Sequence, residues 1–565
     1  MTEVVDPRPL AAVLVSLVAV GFILVSHRRP NVREGFSILA ALGKLGIVAS
    51  MLPGVLSGTV YVTPVTEFLP GVAFSLRADP LGMLFAFLAS LLWLFTTFYS
   101  VGYMRGLDEH SQTRYFAAFA ASVSAAVGVA FASNLFVLFV FYEVLTVATY
   151  PLVTHDETDE ARAAGRKYLA YTFGGGVAVF AGAVLVYWLT GTVAFSPGGI
   201  EGLSRTDPVL ARAAFALLAG GFGVKAALMP LHSWLPDAMV APTPVSGLLH
   251  AVAVVKSGVF GIARTVIDVF GPETVAELGV GLPLAAVAAF TLLTASVIAL
   301  RQDNLKRRLA YSTVSQLSYI VLGLGVLSPN ALTGGLLHIP AHAFMKLTLF
   351  FCAGIIHVET HTDDISDMAG IGKRMPLTMA AFGVAAAGMA GIPLVAGFVS
   401  KLYLLVGTAG AGEYVFVVAL LLSGMLNIAY FWPIVYQAYF EDETAEAHDP
   451  KPLIENSLGG RFAAAGTAGS EAPSPSIADG IGGAVPDADR ADAHDDHEDH
   501  AHHGGPPPGG WEVRSWLGGE STWFMLGPIL AVATGSIVLG LVPYGAAFLA
   551  LVDRIVDGVV LGVVL

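Results

Sequence analysis

The sequence predicts an all-α polytopic membrane protein with about 14 transmembrane helices, arranged as two inverted five-helix repeats with broken seventh and twelfth helices. Three observations predict it. The chain is 55% hydrophobic and only 13% charged, with a mean hydropathy of +0.71, far from the composition of soluble domains. Apolar runs of roughly 20 residues, enough to cross about 30 Å of hydrocarbon, recur along nearly its whole length. Two of the central runs carry prolines deep inside them, around Pro230 and Pro393, where a missing amide donor breaks a helix.

In chain order the expected segments are 8–26, 35–57, 79–104, 113–133, 134–153, 168–190, 208–230, 242–266, 279–300, 311–328, 333–357, 376–406, 413–440 and 521–543. A final amphipathic stretch, 546–565, is left open between a span and a surface tail. The first segment has an acidic, proline-containing front and no small-residue cleavage site, so it is expected to remain as an anchor. Basic residues fix the orientation. Arg28, Arg29 and Arg33 follow the first segment, Arg105 and Arg114 the third, and Arg162, Arg166 and Lys167 the fifth. Arg301, Lys306, Arg307 and Arg308 follow the ninth, and Lys373 and Arg374 the eleventh. The alternate loops carry few, chiefly Arg77, Arg205 and Arg264. The expectation is a multi-pass protein of the plasma membrane with its N-terminus outside.

Residues 441–520 break the pattern, with 17 Asp and Glu against 4 Lys and Arg. This loop carries nearly all of the chain's net charge of −14, and its low-complexity text (EAPSPS, DADRADAHDDHEDHAHH, GGPPPGG) cannot bury an apolar core. It is expected to be cytoplasmic and mostly disordered. Its histidines, His494, His497, His500, His502 and His503, sit on no evident scaffold, so they read as part of a solvated acidic linker rather than a metal site. The implied division is 1–112 for the N-terminal helices, 113–268 and 279–440 for the two repeats, 441–520 for the loop, and 521–565 for a last helix and tail. The two proline breaks lie five helices apart, the spacing expected of a transport site between inverted repeats.

Ionisable residues inside the segments carry the functional signal. Each costs about 2.5–3.5 kcal/mol at a helix centre on insertion scales, so each needs a partner, water or a task. Glu143 lies in the fifth segment, Lys225 in the seventh, His250 and Lys256 in the eighth, His338, His342 and Lys346 in the eleventh, and Lys401 in the twelfth. A lone lysine near a helix end snorkels to the interface, the reading given to Lys44. A lone histidine serves as a helix-to-helix hydrogen bond. Eight such residues over five segments are too costly as structural glue and read as a proton relay. Movement of Glu143 toward or away from Lys225 would switch the lysine between holding and releasing its proton. His338, His342 and Lys346, spaced i, i+4 and i+8, form a lateral row, with Pro340 expected to open the backbone for water.

These residues lie in recognisable text: YEVLTVATYPL, KAALMPLHSWLPDAMVAPTPVSGLLHAVAVVKSG, DNLKRRLAYSTVSQLSY, HIPAHAFMKLTLFFCAGIIH and AGIPLVAGFVSK. From about residue 80 to 440 the chain resembles the antiporter-like subunits of respiratory complex I, membrane-bound hydrogenases and the Mrp multisubunit sodium/proton antiporters. The resemblance implies that Glu143 is the essential glutamate of the fifth helix and Lys225 its partner. It implies that His250 and Lys256 are the relay positions of the eighth helix, that His338, His342 and Lys346 are the central connecting residues, and that Lys401 ends the relay. A lysine at 401, and only about 45 residues after the acidic loop, make the chain most similar to the D-type component of an Mrp antiporter.

The resemblance therefore implies a proton-translocating subunit of a multisubunit sodium/proton antiporter, working with other membrane subunits in the bilayer and binding no nucleic acid. The alternative is the proton-pumping membrane subunit of a redox-driven complex of the NADH-quinone oxidoreductase or hydrogenase type. An energy-coupling subunit for inorganic-carbon uptake and a passive scaffold are further readings, the last disfavoured by the buried charges. No nucleotide loop, haem motif or cluster motif is present, and Cys352 is the only cysteine, so no cofactor or metal is expected and redox chemistry would belong to partners. The chain is expected to be a transporter component rather than an enzyme in its own right.

Overall fold

The computed structural model describes residues 2–69, 72–442, 504–507, 510–516, 519–545 and 547–562. Among them, 13 helices are long and apolar enough to cross a membrane. They are Arg8–Val25, Pro30–Leu56, Pro80–Gly106, Gln112–Ala130, Leu135–Val153, Asp159–Thr190, Pro208–Lys225, Thr243–Val269, Gly281–Leu300, Leu305–Val326, Pro329–Thr360, Tyr414–Phe440 and Trp523–Leu541. A fourteenth segment, the twelfth in chain order, is split into Pro376–Ala390 and Ala396–Gly410. All fourteen expected segments are thus present, and the chain is an all-α polytopic membrane protein. The amphipathic tail forms a helix, Phe548–Gly562, packed on the third and eleventh segments.

The sixth, tenth and eleventh helices start several residues before their expected first residues. Hydropathy reads only the part that is apolar, whereas a cap decides where the helix begins. Thr158 accepts from the Ala161 amide, with Asp159 and Glu160 in the first turn where the helix dipole favours anions. Asn304 caps Arg307, and Ser328 caps Ala331 ahead of Pro329. Asp79–Pro80 and Asp207–Pro208 use the same device, a side-chain acceptor followed by a proline whose lost amide had no helical partner.

Three short strands add to the helices: β1 (Thr2–Val5), β2 (Thr59–Leu69) and β3 (Val72–Ala78). They form one sheet in the order β1-β2-β3, with β1 parallel to β2 and β2 antiparallel to β3. The sheet ties the N-terminus to the chain entering the third segment.

The two broken helices fall where proline placed them. The seventh segment stops at Lys225, and the chain turns through Ala227, at φ +55°, before the short helix Trp234–Asp237. The twelfth stops at Ala390 and resumes at Ala396, with Gly391 at φ +87° in the gap. Pro340 does not break the eleventh helix, which runs on through residue 360. The eighth and eleventh segments are buried around their whole circumference, whereas the first and second bury only about a third of theirs. The helices that carry His250, Lys256, His338, His342 and Lys346 are therefore the innermost ones.

Two expectations are corrected. Lys44 does not snorkel: it is fully buried, its Nζ 3.4 Å from the Val123 carbonyl and 5.6 Å from the Trp93 ring. Its helix packs on the third and fourth segments at that level, so the lysine has no path to the interface. Arg264 is not a loop residue: the eighth helix continues to Val269, and Arg264 is 1% exposed inside it. The histidine tract at 494–503 and most of the acidic loop lie outside the described residues. The loop's end is docked: Gly505 donates to Thr362 Oγ1, Trp511 Nε1 to the Ala369 carbonyl, and the Arg514 amide to the Lys373 carbonyl. Glu520 is fully buried and accepts from the Thr378 amide and hydroxyl, capping the first half of the broken twelfth segment.

Candidate functional site

Seven of the eight candidate residues are buried in the helix bundle and Glu143 is half-buried; six have hydrogen-bond partners among the described residues, and Glu143 and His250 do not. Lys225 ends the first half of the seventh segment, where the helix dipole favours a cation. Its Nζ donates to the Tyr142 carbonyl at 2.6 Å and lies 3.4 Å from the centroid of the Tyr142 ring. Glu143 is the next residue along the fifth segment. Its two carboxylate oxygens are enclosed and have no hydrogen-bond partner among the described residues. The lysine and the glutamate therefore have no hydrogen bond between them.

Glycine makes room for the carboxylate. A Cβ on Gly176 of the sixth segment would lie 2.0 Å from Glu143 Oε1. The eighth segment comes equally close to the break in the seventh. A Cβ on Gly258 would lie 2.3 Å from the Ala226 amide nitrogen and 2.7 Å from the Lys225 carbonyl carbon. Backbone-to-backbone contact therefore brings the helix that carries Lys256 against the end of the helix that carries Lys225.

The eighth segment is not a regular α-helix. It widens into π-helical turns at Leu248–Val252 and Thr265–Val269, a feature that recurs at functional sites. His250 sits in the first of these, 4.8 Å from the Phe350 ring, with neither ring nitrogen hydrogen-bonded among the described residues. Lys256 Nζ lies 2.8 Å from His342 Nδ1, joining the eighth and eleventh segments. An ammonium can only donate, so that nitrogen of His342 is the acceptor when Lys256 is charged.

Along the eleventh helix the expected row is present, but its members do not bond to one another. His338 and His342 have ring centroids 6.2 Å apart. His338 reaches Ser400 Oγ at 2.8 Å and Gln316 Oε1 at 2.9 Å, whereas Lys346 donates to the Leu309 carbonyl at 3.1 Å and to Ser312 Oγ. Each member of the row is therefore bonded to a different neighbour, on the eighth, tenth or twelfth segment. Lys401, 8% exposed, donates to the Met389 carbonyl at the end of the first half of its broken segment, with the Tyr319 ring 4.6 Å away. Lys225 and Lys401 thus share a pattern, each donating to a backbone carbonyl of another helix beside an aromatic face.

Sequence reasoning missed the neutral partners. Ser312, Gln316 and Tyr319 recur at helical spacing on one face of the tenth segment, and that polar stripe in STVSQLSY was the available signal. Gln316 Nε2 also donates to Asn427 Oδ1, extending the network to the thirteenth segment. Missed as well was a buried ion triad. Arg264 holds Asp79 with two hydrogen bonds of 2.8 Å and Asp268 with one of 2.7 Å. It anchors the far end of the eighth segment to the start of the third.

Chains of alternating donors and acceptors, with groups that can release a proton, can pass protons from site to site. Residues 132–426 match the family model described as NADH:quinone oxidoreductase/Mrp antiporter, transmembrane. The N subunit of the NADH-quinone oxidoreductase of Desulforudis audaxviator is 34% identical over 454 residues, covering 79% of this chain and 89% of that protein. A probable K(+)/H(+) antiporter A/B subunit of Rhizobium meliloti is 35% identical over 359 residues, which are 63% of this chain but 35% of that one. Among solved structures, the Mrp complex of a Dietzia species matches with a TM-score of 0.75 at 22% identity, covering 98% of this chain and 97% of the other. The archaeal membrane-bound sulfane sulfur reductase matches with the same score at 21% identity, covering 98% and 100%. The chain belongs to the NADH:quinone oxidoreductase/Mrp antiporter family, as one of its proton-translocating, antiporter-like membrane subunits.

Proposed function

We propose that the chain is the proton-translocating subunit of a multisubunit monovalent cation/proton antiporter, similar to the D-type component of the Mrp complexes, with sodium as the exchanged ion. The observation that carries the proposal is the buried series of ionisable groups from Glu143 and Lys225, through Lys256 and His342, to His338 and Lys401. Glu143 takes up or releases a proton beside Lys225. The Lys256–His342 pair links the two halves, 113–268 and 279–440, which we read as inverted repeats. Lys401 closes the series at the second break. The working site is the plasma membrane, with the N-terminus outside and residues 441–520 in the cytoplasm.

The second reading, a pump subunit of a redox-driven complex, is supported by the similarity to the N subunit of a quinone oxidoreductase. Two measurements separate and test the readings. In vesicles carrying the assembled complex, a sodium pulse is expected to produce a pH change in the wild type, and Glu143→Ala and Lys225→Ala are each expected to abolish it. Wild-type exchange in either variant would overturn the assigned relay. Mass spectrometry of the subunits that co-purify is expected to find membrane proteins without redox groups. Partners bearing flavin or iron–sulfur clusters would overturn the antiporter in favour of the pump.

A further inference from the structure

We propose that Glu109, His110 and His155 form a binding site for a divalent transition metal of the zinc class. The three lie where the chain leaves the third segment and where it leaves the fifth, outside the relay. One ligand atom from each falls within 4.8 Å of the others. Glu109 Oε2 is 3.7 Å from His110 Nδ1 and 3.8 Å from His155 Nε2. Tetrahedral bonds of about 2.0–2.2 Å place ligand atoms roughly 3.3–3.6 Å apart, so the two Glu109 edges need a few tenths of an ångström, and the two imidazoles, within 4.8 Å, close by at most about 1.5 Å through side-chain rotation.

The donor atoms are in the forms a metal needs. His110 Nε2 is 3.0 Å from the His155 carbonyl oxygen, which can only accept. That nitrogen therefore carries the proton and leaves the Nδ1 lone pair facing Glu109, the arrangement in which metal-bound imidazoles are held by a backbone carbonyl. His155 is fully buried, yet neither of its ring nitrogens has a hydrogen-bond partner among the described residues.

The surrounding charges are mixed. Arg114 donates to the His155 carbonyl and opposes a cation, but it is itself paired with Glu157. Asp156, next to His155 in the chain, adds a negative charge that acts on Glu109. A metal would relieve the repulsion between Glu109 and Asp156. The His110 side chain is half exposed, which gives an ion access and leaves a fourth position for water.

The test uses the full chain in detergent, with His494, His497, His500, His502 and His503 changed to Asn so that the acidic loop cannot compete. Zinc chloride is titrated by calorimetry, and the bound metal is examined by X-ray absorption. One zinc per chain is expected, with two imidazole nitrogens and a carboxylate oxygen bound to it. His110→Asn, at a half-exposed position, and Glu109→Gln are each expected to weaken binding at least tenfold. His155→Gln is expected to abolish it. No binding, or binding that His110→Asn and Glu109→Gln leave unchanged, would overturn the site. The proposal stands apart from which ion the protein exchanges.

Discussion

Replacing Arg264 with methionine removes the cation that hydrogen-bonds two carboxylates inside the bundle, leaving Asp268 without that partner and Asp79 with Arg77 as its remaining cation, whose Nε is 3.9 Å away. Arg264 is 1% exposed, Asp79 8% and Asp268 7%, so water cannot take over the lost hydrogen bonds. Three charge-assisted bonds of 2.7–2.8 Å disappear, along with guanidinium contacts to the Phe195 and Phe260 rings at 4.9 and 5.1 Å. Breaking a buried pair from one side costs about 3–5 kcal/mol, because it strands the other charge. That is roughly two to nearly four orders of magnitude in the folding equilibrium. Removing all three charges together costs far less, since nothing is then left unpaired.

The assay is the loss of a monodisperse elution peak after heating in detergent, read both as a melting temperature and as a half-life at fixed temperature, because unfolding of such a protein is a rate. Arg264→Met is expected to melt well below the wild type. Combining it with Asp79→Asn and Asp268→Asn is expected to recover most of the loss. A single variant as stable as the wild type, or a triple variant no better than the single, would refute the reasoning. Because Arg264 lies in the helix that carries His250 and Lys256, the single variant is also expected to lower exchange in complexes that survive.

Gly176→Ala is expected to leave melting nearly unchanged but slow exchange roughly tenfold to a hundredfold, since the new methyl group displaces the Glu143 carboxylate; an unchanged rate would show that its position is not critical. Glu520→Ala uncaps the twelfth segment and is expected to cost about 1–3 kcal/mol, seen as a lower melting temperature in the same heating assay. His155 makes stability depend on pH. Burial keeps it unprotonated down to about pH 4, whereas in the unfolded chain it takes up a proton near 6.5. Stability is therefore unaffected by this group above pH 6.5 and erodes by up to about 1.4 kcal/mol per unit as pH falls from 6.5 to 4. His155→Gln is expected to flatten that slope, and an unchanged slope would count against it. For orientation, Asp159→Cys is expected to react with an impermeant thiol reagent only from the cytoplasmic side and Glu201→Cys only from outside, both side chains being exposed and the native Cys352 buried. Labelling of both from one side would reject the proposed topology.

The sequence by itself determined the membrane class, the fourteen segments and both broken helices, and it marked eight ionisable residues inside those segments. Each rests on local physics: roughly 20 apolar residues match the hydrocarbon thickness, a buried proline removes an amide donor, and a charge in an apolar helix is costly wherever the helix lies. Partnership was not legible, because it joins residues far apart in the chain. Lys225 meets Tyr142 across 83 positions, Lys256 meets His342 across 86, and Arg264 meets Asp79 across 185. Only packing decides such pairs. The same limit misplaced Lys44, whose flanks allow snorkelling but whose helix is covered, and Arg264, which ends an apolar run yet lies within a longer helix. It also hid Glu520, an acidic residue in acidic text that only the fold brings to the start of a helix 143 residues earlier. Hydropathy measures what a residue would rather leave, and tertiary structure decides what it finds instead.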